Sequence, residues 1–575
     1  MDKATVIDNR CTLLTNPGKA SSHLHFHKNT FRYFVALIPV AIVLLISTSY
    51  QQSPDERNAI EPGYYTPGTV DSLRAVLTAG SPDSQVFIYE ENPAMLQSVR
   101  NFYFRNGYKP AWTYFNGLNG QATSLLYLIE HAREYGLEPG HYHVSAIREL
   151  QQQLEDKSQR SKQSTIGVDL EVLITDAALR FMVNLHAGYR SFDSTLYSAA
   201  WVVKLTDILL DGVATGKVVE NVLSVQPRFI EYKNLRKANE HFVKTNSLTD
   251  QRVEINYPTK DSVRLHSQIR KALKTLRYLD NSNGNTDITK ALKEFQHYHG
   301  LEPDGKPGAN TVEALRQSTL HIYRILALNL DRLRKNQNMD SNMLYVNIPA
   351  YHLKVFNGNT LKDTFRVIVG HPSSPTPTLS ARMERIIANP TWFVPKSITM
   401  NEILPKIKAD SGYLRRNGFK VLDRNYNTVN YKTLNLADIS AGNFDYTLRQ
   451  DQGLDNSLGQ VKFLFSNPYS IYLHDTPGKT LFSKDLRAFS HGCIRIQNPE
   501  RLAGYIINKL NADSTNISHL IKAGKHREFG ISSTLAIQII YITCEADNAG
   551  RLYFYKDIYG TDKKDLEQLA PFMDI

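Results

Sequence analysis

The sequence predicts a multidomain α+β protein, with a helical N-terminal scaffold domain and a second helical module followed by a mainly β domain with an inserted lid. Two patterns indicate this organisation. In residues 93–148, 169–188 and 262–317, apolar residues recur at three- and four-residue spacing, as in helices. From Met343 onward, apolar and β-branched residues alternate, as in "MLYVNIPAYHLKVFN", which is typical of strands. A chain of 575 residues is long enough for three or four domains of ~150 residues.

The N-terminal segment carries a topology signal. The apolar run "FVALIPVAIVLLIS" (34–47) contains no charge, and more basic than acidic residues precede it. The positive-inside rule then predicts a cytoplasmic tail at 1–33, an uncleaved signal anchor or transmembrane helix at 34–50, and export of everything beyond. Cleavage near Ser49 is the alternative.

The next two segments are predicted to be a linker and a scaffold. Residues 51–84 are rich in Pro, Ser, Gly and Asp and are interpreted as a linker. Residues 85–261 are interpreted as the helical scaffold domain. The pattern of 200–262 is mixed and does not divide into individual elements. Within it, "DLEVLITDAALRFMVNLHAG" (169–188) predicts a long amphipathic helix ending at Gly188.

Residues 262–320 form the second helical module. In "ITKALKEFQHYHGLEPDGKPGANTVEALRQ" (288–317), apolar residues share one helical face, and Asp304-Gly305 and Pro307-Gly308 predict tight turns. The segment resembles the peptidoglycan-binding module, whose pattern is A-L-x-x-F-Q, G-L-x-x-D-G and G-x-x-T-x-x-A-L. The alternative is a spacer that keeps this fold without binding glycan.

Residues 340–562 are predicted to form the β domain. Strands flank Asn467-Pro468 in "VKFLFSNPYSIYLHD", and a hairpin is predicted through residues 548–550. The polar stretch at about 396–459 is interpreted as an inserted lid. No C-x-x-C pair occurs among the three cysteines, Cys11, Cys493 and Cys544, so neither a cysteine zinc site nor a disulfide framework is expected.

Cys493 lies in "AFSHGCIRI" and is the candidate nucleophile. A thiol with its free pKa of ~8.5 is mostly protonated at neutral pH and needs a base nearby. His491, two residues earlier, and His474, at the end of a predicted strand, are the two candidates. Gly492 lets the backbone approach a ligand closely, and the amides of Gly492 and Cys493 would suit a tetrahedral oxyanion. Cys544, in an alternating strand, is expected to be buried and inert.

The pattern H-x15-S-H-G-C, formed by His474, Ser490, His491, Gly492 and Cys493, resembles the L,D-transpeptidase (YkuD-type) catalytic domain. The segments "VIVGHPSSPTPTLSARMERIIANPTWFVPKSI" (367–398) and 455–496 resemble the large membrane-anchored subgroup of that family, and the likeness extends over most of 90–560. Many family members have Asn where this chain has Arg495, whereas the large subgroup commonly has Arg. This leaves open whether Arg495 holds the loop or contacts a substrate carboxylate.

The resemblance implies a role for each site residue. Cys493 attacks the substrate, His474 is the general base, and the Asp475 carbonyl orients its imidazole. Ser490, His491 and Gly492 belong to the oxyanion loop. Four residues are candidates for the substrate cleft: Arg495, Tyr472, Trp392 and Arg449. Ordinary packing is the alternative for Trp392 and Tyr472, whereas Arg449 is expected to be exposed on the lid.

The implied activity is the formation of 3→3 peptidoglycan cross-links from tetrapeptide stems with release of D-alanine, without a cofactor or metal and with inhibition by carbapenems. The implied partners are stem peptides and glycan, with a single-pass inner-membrane anchor and the catalytic part in the periplasm.

The net charge of +11 suits a polyanionic surface, but no nucleic-acid-binding motif occurs and nucleic acid is not an expected partner. The alternatives are an L,D-carboxypeptidase or hydrolase using the same cysteine, an inactive wall-binding anchor, and, more remotely, a general cysteine protease.

Overall fold

The computed structural model describes residues 68–79, 88, 91, 94–114, 117–189, 199–279, 288–335, 342–410, 412–434, 445–510, 513–531 and 535–570. The predicted cytoplasmic tail at 1–33 and the predicted anchor at 34–50 lie outside these residues. Among the helices that are described, none is both long enough and apolar enough to span a bilayer.

The scaffold is helical, as predicted. Its helices are α1 (Thr69–Thr78), α2 (Leu96–Arg105), α3 (Gly120–Glu130), α4 (Val144–Glu155), α5 (Gln163–Ala187), α6 (Ala199–Thr215), α7 (Val218–Leu223) and α8 (Ile230–Thr245). A two-stranded ribbon joins β1 (Thr113–Tyr114) to β2 (Gly117–Leu118). Helix α1 lies within the predicted linker, so that boundary was wrong: Leu73 and Leu77 pack in the scaffold core, which fixes the helix.

Helix α5 differs from the predicted amphipathic helix because it is buried on all sides. Its polar residues Glu171 and Asp176 are fully buried, together with the apolar ones. The Glu171 carboxylate accepts backbone N–H bonds from Ala111, Trp112 and Thr113 at 2.7–2.9 Å. Such bonds satisfy a buried carboxylate, so α5 is the central helix of the scaffold.

The second module consists of α9 (Ser262–Thr275), α10 (Ile288–Tyr298) and α11 (Ala309–Leu315) around its own apolar core. Gln296 is buried and organises the following loop. Its Nε2 donates to Asp304 Oδ1 and to the Lys306 carbonyl, both at 2.9 Å, and its Oε1 accepts from the Gly305 amide at 2.8 Å. Helix α12 (Thr319–Lys335) follows.

The β domain is built on one sheet that closes on itself. Its strands are β3 (Asn342–Asn347), β4 (His352–Asn357), β5 (Thr360–Gly370), β6 (Leu379–Ala388), β11 (Val461–Phe465), β12 (Leu473–His474), β13 (Ala488–Ser490), β14 (Ile494–Ile496), β15 (Arg527–Gly530) and β16 (Leu535–Ile540). Their order is β11-β12-β14-β5-β4-β3-β16-β6, and β11 also pairs with β6. The closed sheet surrounds an apolar core.

An insertion follows β6 in the chain and has its own core and sheet. Strands β7 (Trp392–Phe393), β8 (Phe419–Leu422), β9 (Thr428–Val429) and β10 (Thr447–Gln450) pair in the order β7-β10-β8-β9. Helix α13 (Lys396–Ile398) continues through a π-helical turn (Thr399–Ile403) into α14 (Leu404–Ala409), and α15 (Tyr413–Arg416) follows.

The C-terminal elements complete the domain. They are α16 (Pro499–Tyr505), α17 (Ile517–Lys522), the hairpin of β17 (Cys544–Ala546) and β18 (Leu552–Phe554), and α18 (Thr561–Leu569). Cys544 is fully buried, as predicted. Helical and β parts thus follow each other in the predicted order, which confirms the α+β class.

Candidate active site

Three neighbouring strands place a row of polar side chains on one face of the closed sheet. Lys462 on β11 lies opposite His474 on β12, and His474 lies opposite Arg495 on β14. Successive side chains of a strand point to opposite faces. The adjacent Phe463, Leu473 and Ile494 are accordingly fully buried in the core, together with the sheet's other inward-facing residues. The polar row therefore faces away from the core.

The loop that carries the nucleophile candidate connects β13 to β14 and is tightly held. Gly492 has a φ of +108°, a conformation that favours glycine, and a Cβ there would lie 3.1 Å from Ile471 Cδ1. The Ser490 hydroxyl donates to the Cys493 carbonyl and accepts from the Gly492 amide at 3.2 Å. In this arrangement the Gly492 amide is already bonded, although it was predicted to serve an oxyanion.

Thr376 anchors the same loop from a second side. Its hydroxyl donates to the Gly492 carbonyl at 2.8 Å and accepts from the Gly370 amide at 2.8 Å. Gly370 and Thr376 both lie in the segment at 367–398 on which the family resemblance partly rests. The sequence therefore contained the signal for Thr376, although its role in holding Gly492 became clear only from the fold.

The Cys493 thiol is half-buried, with Sγ 4.0 Å from the Ser470 carbonyl. Burial raises the pKa of this thiol above its ordinary value. Hydrogen bonding to Tyr472 and the positive charges of Lys462 and Arg495 act in the opposite direction. The sulfur thus lies where two cations favour its ionised form.

His474 is buried and neutral. Burial is the largest cause that lowers its pKa, to about 3, and the neighbouring charges of Arg495 and Lys462 lower it further. Its ring lies 5.6 Å from the Tyr472 ring, centroid to centroid. A neutral imidazole at pH 7 is in the protonation state that a general base requires.

The environment of the His474 ring differs in one respect from the predicted one. The Asp475 carbonyl is near enough to favour the protonated ring, but the buried Nδ1 makes no hydrogen bond of ordinary geometry. The Asp475 side chain is engaged elsewhere, because it accepts from the Gln460 amide at 3.0 Å and from Lys479. Orientation of the imidazole by the Asp475 carbonyl stays a prediction.

His491 is not part of the buried row. Its side chain is about half exposed, and Nε2 lies 2.5 Å from Glu402 Oε1, in the π-helical turn of the insertion. Of the two histidines that the sequence offered as bases, His474 is therefore the one in the row with Arg495. Glu402 was not predicted, because a half-exposed glutamate in a helical stretch carries no sequence signal.

The four predicted cleft residues occupy different environments. Tyr472 is half-buried and contacts the Cys493 thiol, and Arg495 lies in the polar row. Trp392 is buried in the core of the insertion, 6.2 Å from the Phe419 ring, and its side chain also contacts Tyr472. Arg449 was expected to be exposed, but only 26% of its side chain is, and it pairs with Asp451 at 2.8 Å.

Metal chemistry has no visible ligand set here. In the described ranges, no group of three or more His, Cys, Asp or Glu side chains is arranged to hold a metal ion.

Comparisons with known proteins identify the domains of the chain. Residues 341–511 match the family model of the L,D-transpeptidase catalytic domain (YkuD), residues 97–238 that of a "Scaffold domain", and residues 266–315 that of a "Putative peptidoglycan binding domain". The chain therefore contains an L,D-transpeptidase catalytic domain combined with a scaffold and a peptidoglycan-binding domain. A Haemophilus influenzae protein named "Putative L,D-transpeptidase" is 27% identical over 445 residues, which cover 75% of this chain and 89% of that protein.

Solved structures give shorter alignments. An L,D-transpeptidase from Mycobacterium smegmatis aligns with 14% identity and a TM-score of 0.16, over 35% of this chain and 58% of that one. The L,D-transpeptidase 1 of Mycobacterium tuberculosis aligns with 14% identity and a TM-score of 0.14, over 35% of this chain and 62% of that one. The matched region is less than two thirds of either chain.

Proposed function

We propose that the protein is a cysteine-dependent L,D-transpeptidase that forms 3→3 cross-links between peptidoglycan stem peptides. One observation carries the proposal: the half-buried Cys493 lies in a loop fixed by Ser490 and Thr376, directly before strand β14, on which Arg495 lies opposite the neutral His474. This combination supplies a positioned thiol, a base in the correct protonation state and positive charge for a substrate carboxylate.

In the first step, Cys493 sulfur forms a bond to the carbonyl carbon at the L-centre of diaminopimelate in a tetrapeptide stem. The thiol proton passes to His474, and the bond from that carbonyl carbon to the nitrogen of the terminal D-alanine breaks. His474 returns the proton to the leaving amine. Because the Gly492 amide is bonded to Ser490, the Cys493 amide is the candidate oxyanion donor of the predicted pair.

In the second step, the side-chain amine of a neighbouring stem attacks the thioester. His474 accepts a proton from that amine, the carbon–sulfur bond breaks and the thiol is restored. Arg495 is half-buried in the same row and is the proposed partner of a substrate carboxylate, because a guanidinium matches a carboxylate in geometry. No cofactor enters this scheme.

The proposed location is the periplasm, with the chain anchored in the inner membrane by residues 34–50. The support is the uncharged apolar run and its basic N-terminal flank. The peptidoglycan-binding domain at 266–315 is proposed to hold the glycan near the catalytic domain.

Product analysis tests the proposed reaction and its acceptor. The full chain in detergent is incubated with purified disaccharide-tetrapeptide, with Cys493→Ala as the blank, and the products are identified by mass spectrometry. We expect a cross-linked dimer that has lost one D-alanine and is absent from the blank. Tripeptide without dimer would identify a carboxypeptidase instead, and identical products with both proteins would refute catalysis by Cys493.

A further inference from the structure

We propose that Lys462 is a positioning residue of the catalytic centre, whose ammonium group stabilises the Cys493 thiolate. Neutral His474 does not supply this charge. The inference deepens the proposed function and rests on it, because it assigns a new role within the same site. It follows from the positions of the charged groups around the sulfur.

The strand register brings Lys462 to the site. Lys462 lies directly opposite His474, and its Nζ is 4.0 Å from the centroid of the Tyr472 ring. A cation over an aromatic face is held there by the ring quadrupole. Tyr472 contacts the Cys493 thiol, and its carbonyl accepts the Ile494 amide at 3.1 Å. The ammonium and the thiol thus flank the same tyrosine.

In the resting site, His474 is poorly suited to be the positive partner of the thiolate, although its ring accepts the thiol proton during the proposed first step. It is buried between Lys462 on one neighbouring strand and Arg495 on the other, so a proton on its ring would create a third cation in the row. Burial together with these charges lowers the pKa of His474 to about 3. At neutral pH, the cations that act on the sulfur are therefore Lys462 and Arg495.

Burial is the largest cause that lowers the pKa of Lys462, and the negative charges of Cys493 and Glu528 act in the opposite direction. Arg385 on β6 and Glu528 on β15 also face Lys462, but they pair with each other at 3.1 Å. Arg495 faces Cys493 and Glu402, and the proposed mechanism assigns it to a substrate carboxylate. Charges interact more strongly with each other when they are partly withdrawn from water. Lys462 is half-buried, so its interaction with the sulfur is strengthened in this way. Lys462 is thus the cation free to serve the thiolate throughout the reaction.

The pH dependence of thiol alkylation tests this role without any peptidoglycan substrate. Iodoacetamide is added to the full chain over a range of pH, and the modification of Cys493 is followed by peptide mapping, which separates it from Cys11 and Cys544. An opposite charge a few ångströms away typically moves a pKa by one or more units. For Lys462→Met we expect the alkylation midpoint to rise by about one pH unit, whereas Lys462→Arg should keep the wild-type midpoint.

The matched comparison is His474→Gln, for which we expect an unchanged midpoint. An unchanged midpoint in Lys462→Met would overturn the proposal, and a rise in His474→Gln beside it would identify an imidazolium as the partner instead. If Lys462→Met does not fold by circular dichroism, Lys462→Gln replaces it with the same expected rise. Alkylation needs no peptidoglycan substrate, so these midpoints can be measured even if the protein does not catalyse transpeptidation. Each proposal can therefore fail without the other.

Discussion

Replacing Cys493 with alanine, or His474 with glutamine, is expected to lower kcat for dimer formation by about 10⁴-fold. The two side chains act as one unit in the proposed first step, since sulfur attacks while the imidazole takes its proton. Losses in such a unit are not additive, and the double variant should be no slower than the slower single variant. The measurement is the rate of dimer formation by the full chain.

Cys544→Ala is the matched control, because it removes a buried thiol from a different core of the same domain. We expect its rate to stay within about twofold of the wild type, since its thiol touches no group of the site. A His474→Gln variant that kept near-wild-type activity would contradict the assignment of the base.

The dependence of activity on pH provides a second expectation for His474. Because the pKa of His474 is lowered to about 3, the ring stays neutral down to that pH. The plot of kcat/KM against pH should therefore show no loss of activity centred at the ordinary histidine pKa of ~6.5. A loss of activity centred at that pH in the wild type, but absent from His474→Gln, would show that the His474 ring is protonated in the resting enzyme.

A large loss of stability is expected when the contact between the scaffold and the catalytic sheet is disrupted. Lys354 Nζ on β4 lies 2.7 Å from Glu231 Oε1 on α8 and 2.8 Å from Glu545 Oε2 on β17. Lys354→Met would leave two buried carboxylates without their shared cation. Removing one partner of a buried ionic cluster typically costs about 3–5 kcal/mol of stability. Urea unfolding at pH 7 measures this loss.

The direction in which the stabilisation by this cluster changes with pH follows from the pKa values of its two carboxylates. Burial raises the pKa of Glu545, but Lys354 and His352 outweigh it and hold that pKa below its ordinary value. The stabilisation contributed by Glu545 is thus present above its unfolded pKa and is lost as pH falls through the folded one, whereas burial raises the pKa of Glu231, whose contribution has the opposite sign. Without Lys354 both carboxylates take up protons more easily, so the wild-type advantage should be smaller at about pH 5 than at pH 7.

Lys420→Met is the control for this variant. Its ion pair with Asp451 has both side chains more than 40% exposed, and exposed pairs contribute less than about 1 kcal/mol. Equal losses of stability in the two variants would mean that the Lys354 cluster contributes no more than a surface ion pair.

The sequence predicted the features that depend on local pattern. Alternation in "VKFLFSNPYSIYLHD" identified β11 and β12, and the cysteine loop stood out because its residues are contiguous. The burial of α5 was missed, because its polar Glu171 and Asp176 find partners far away in sequence. Helix α1 was missed because its two core residues sit in a segment of linker-like composition.

The charge arrangement of the site also required the fold. The pairing of Lys462, His474 and Arg495 depends on the register of three strands, one pair of them parallel. Nothing in the local sequence fixes that register. Likewise, the contact of His491 with Glu402 joins residues 89 positions apart in two subdomains.

The most direct test of the central claim is to trap an acyl group on Cys493. The full chain is incubated with imipenem, a carbapenem, and its intact mass and tryptic peptides are recorded. We expect a mass increase equal to one drug molecule, located on the peptide that contains Cys493, and none in Cys493→Ala. An adduct on another residue, or no adduct on a folded chain that still forms dimers, would contradict the assignment of Cys493 as the nucleophile.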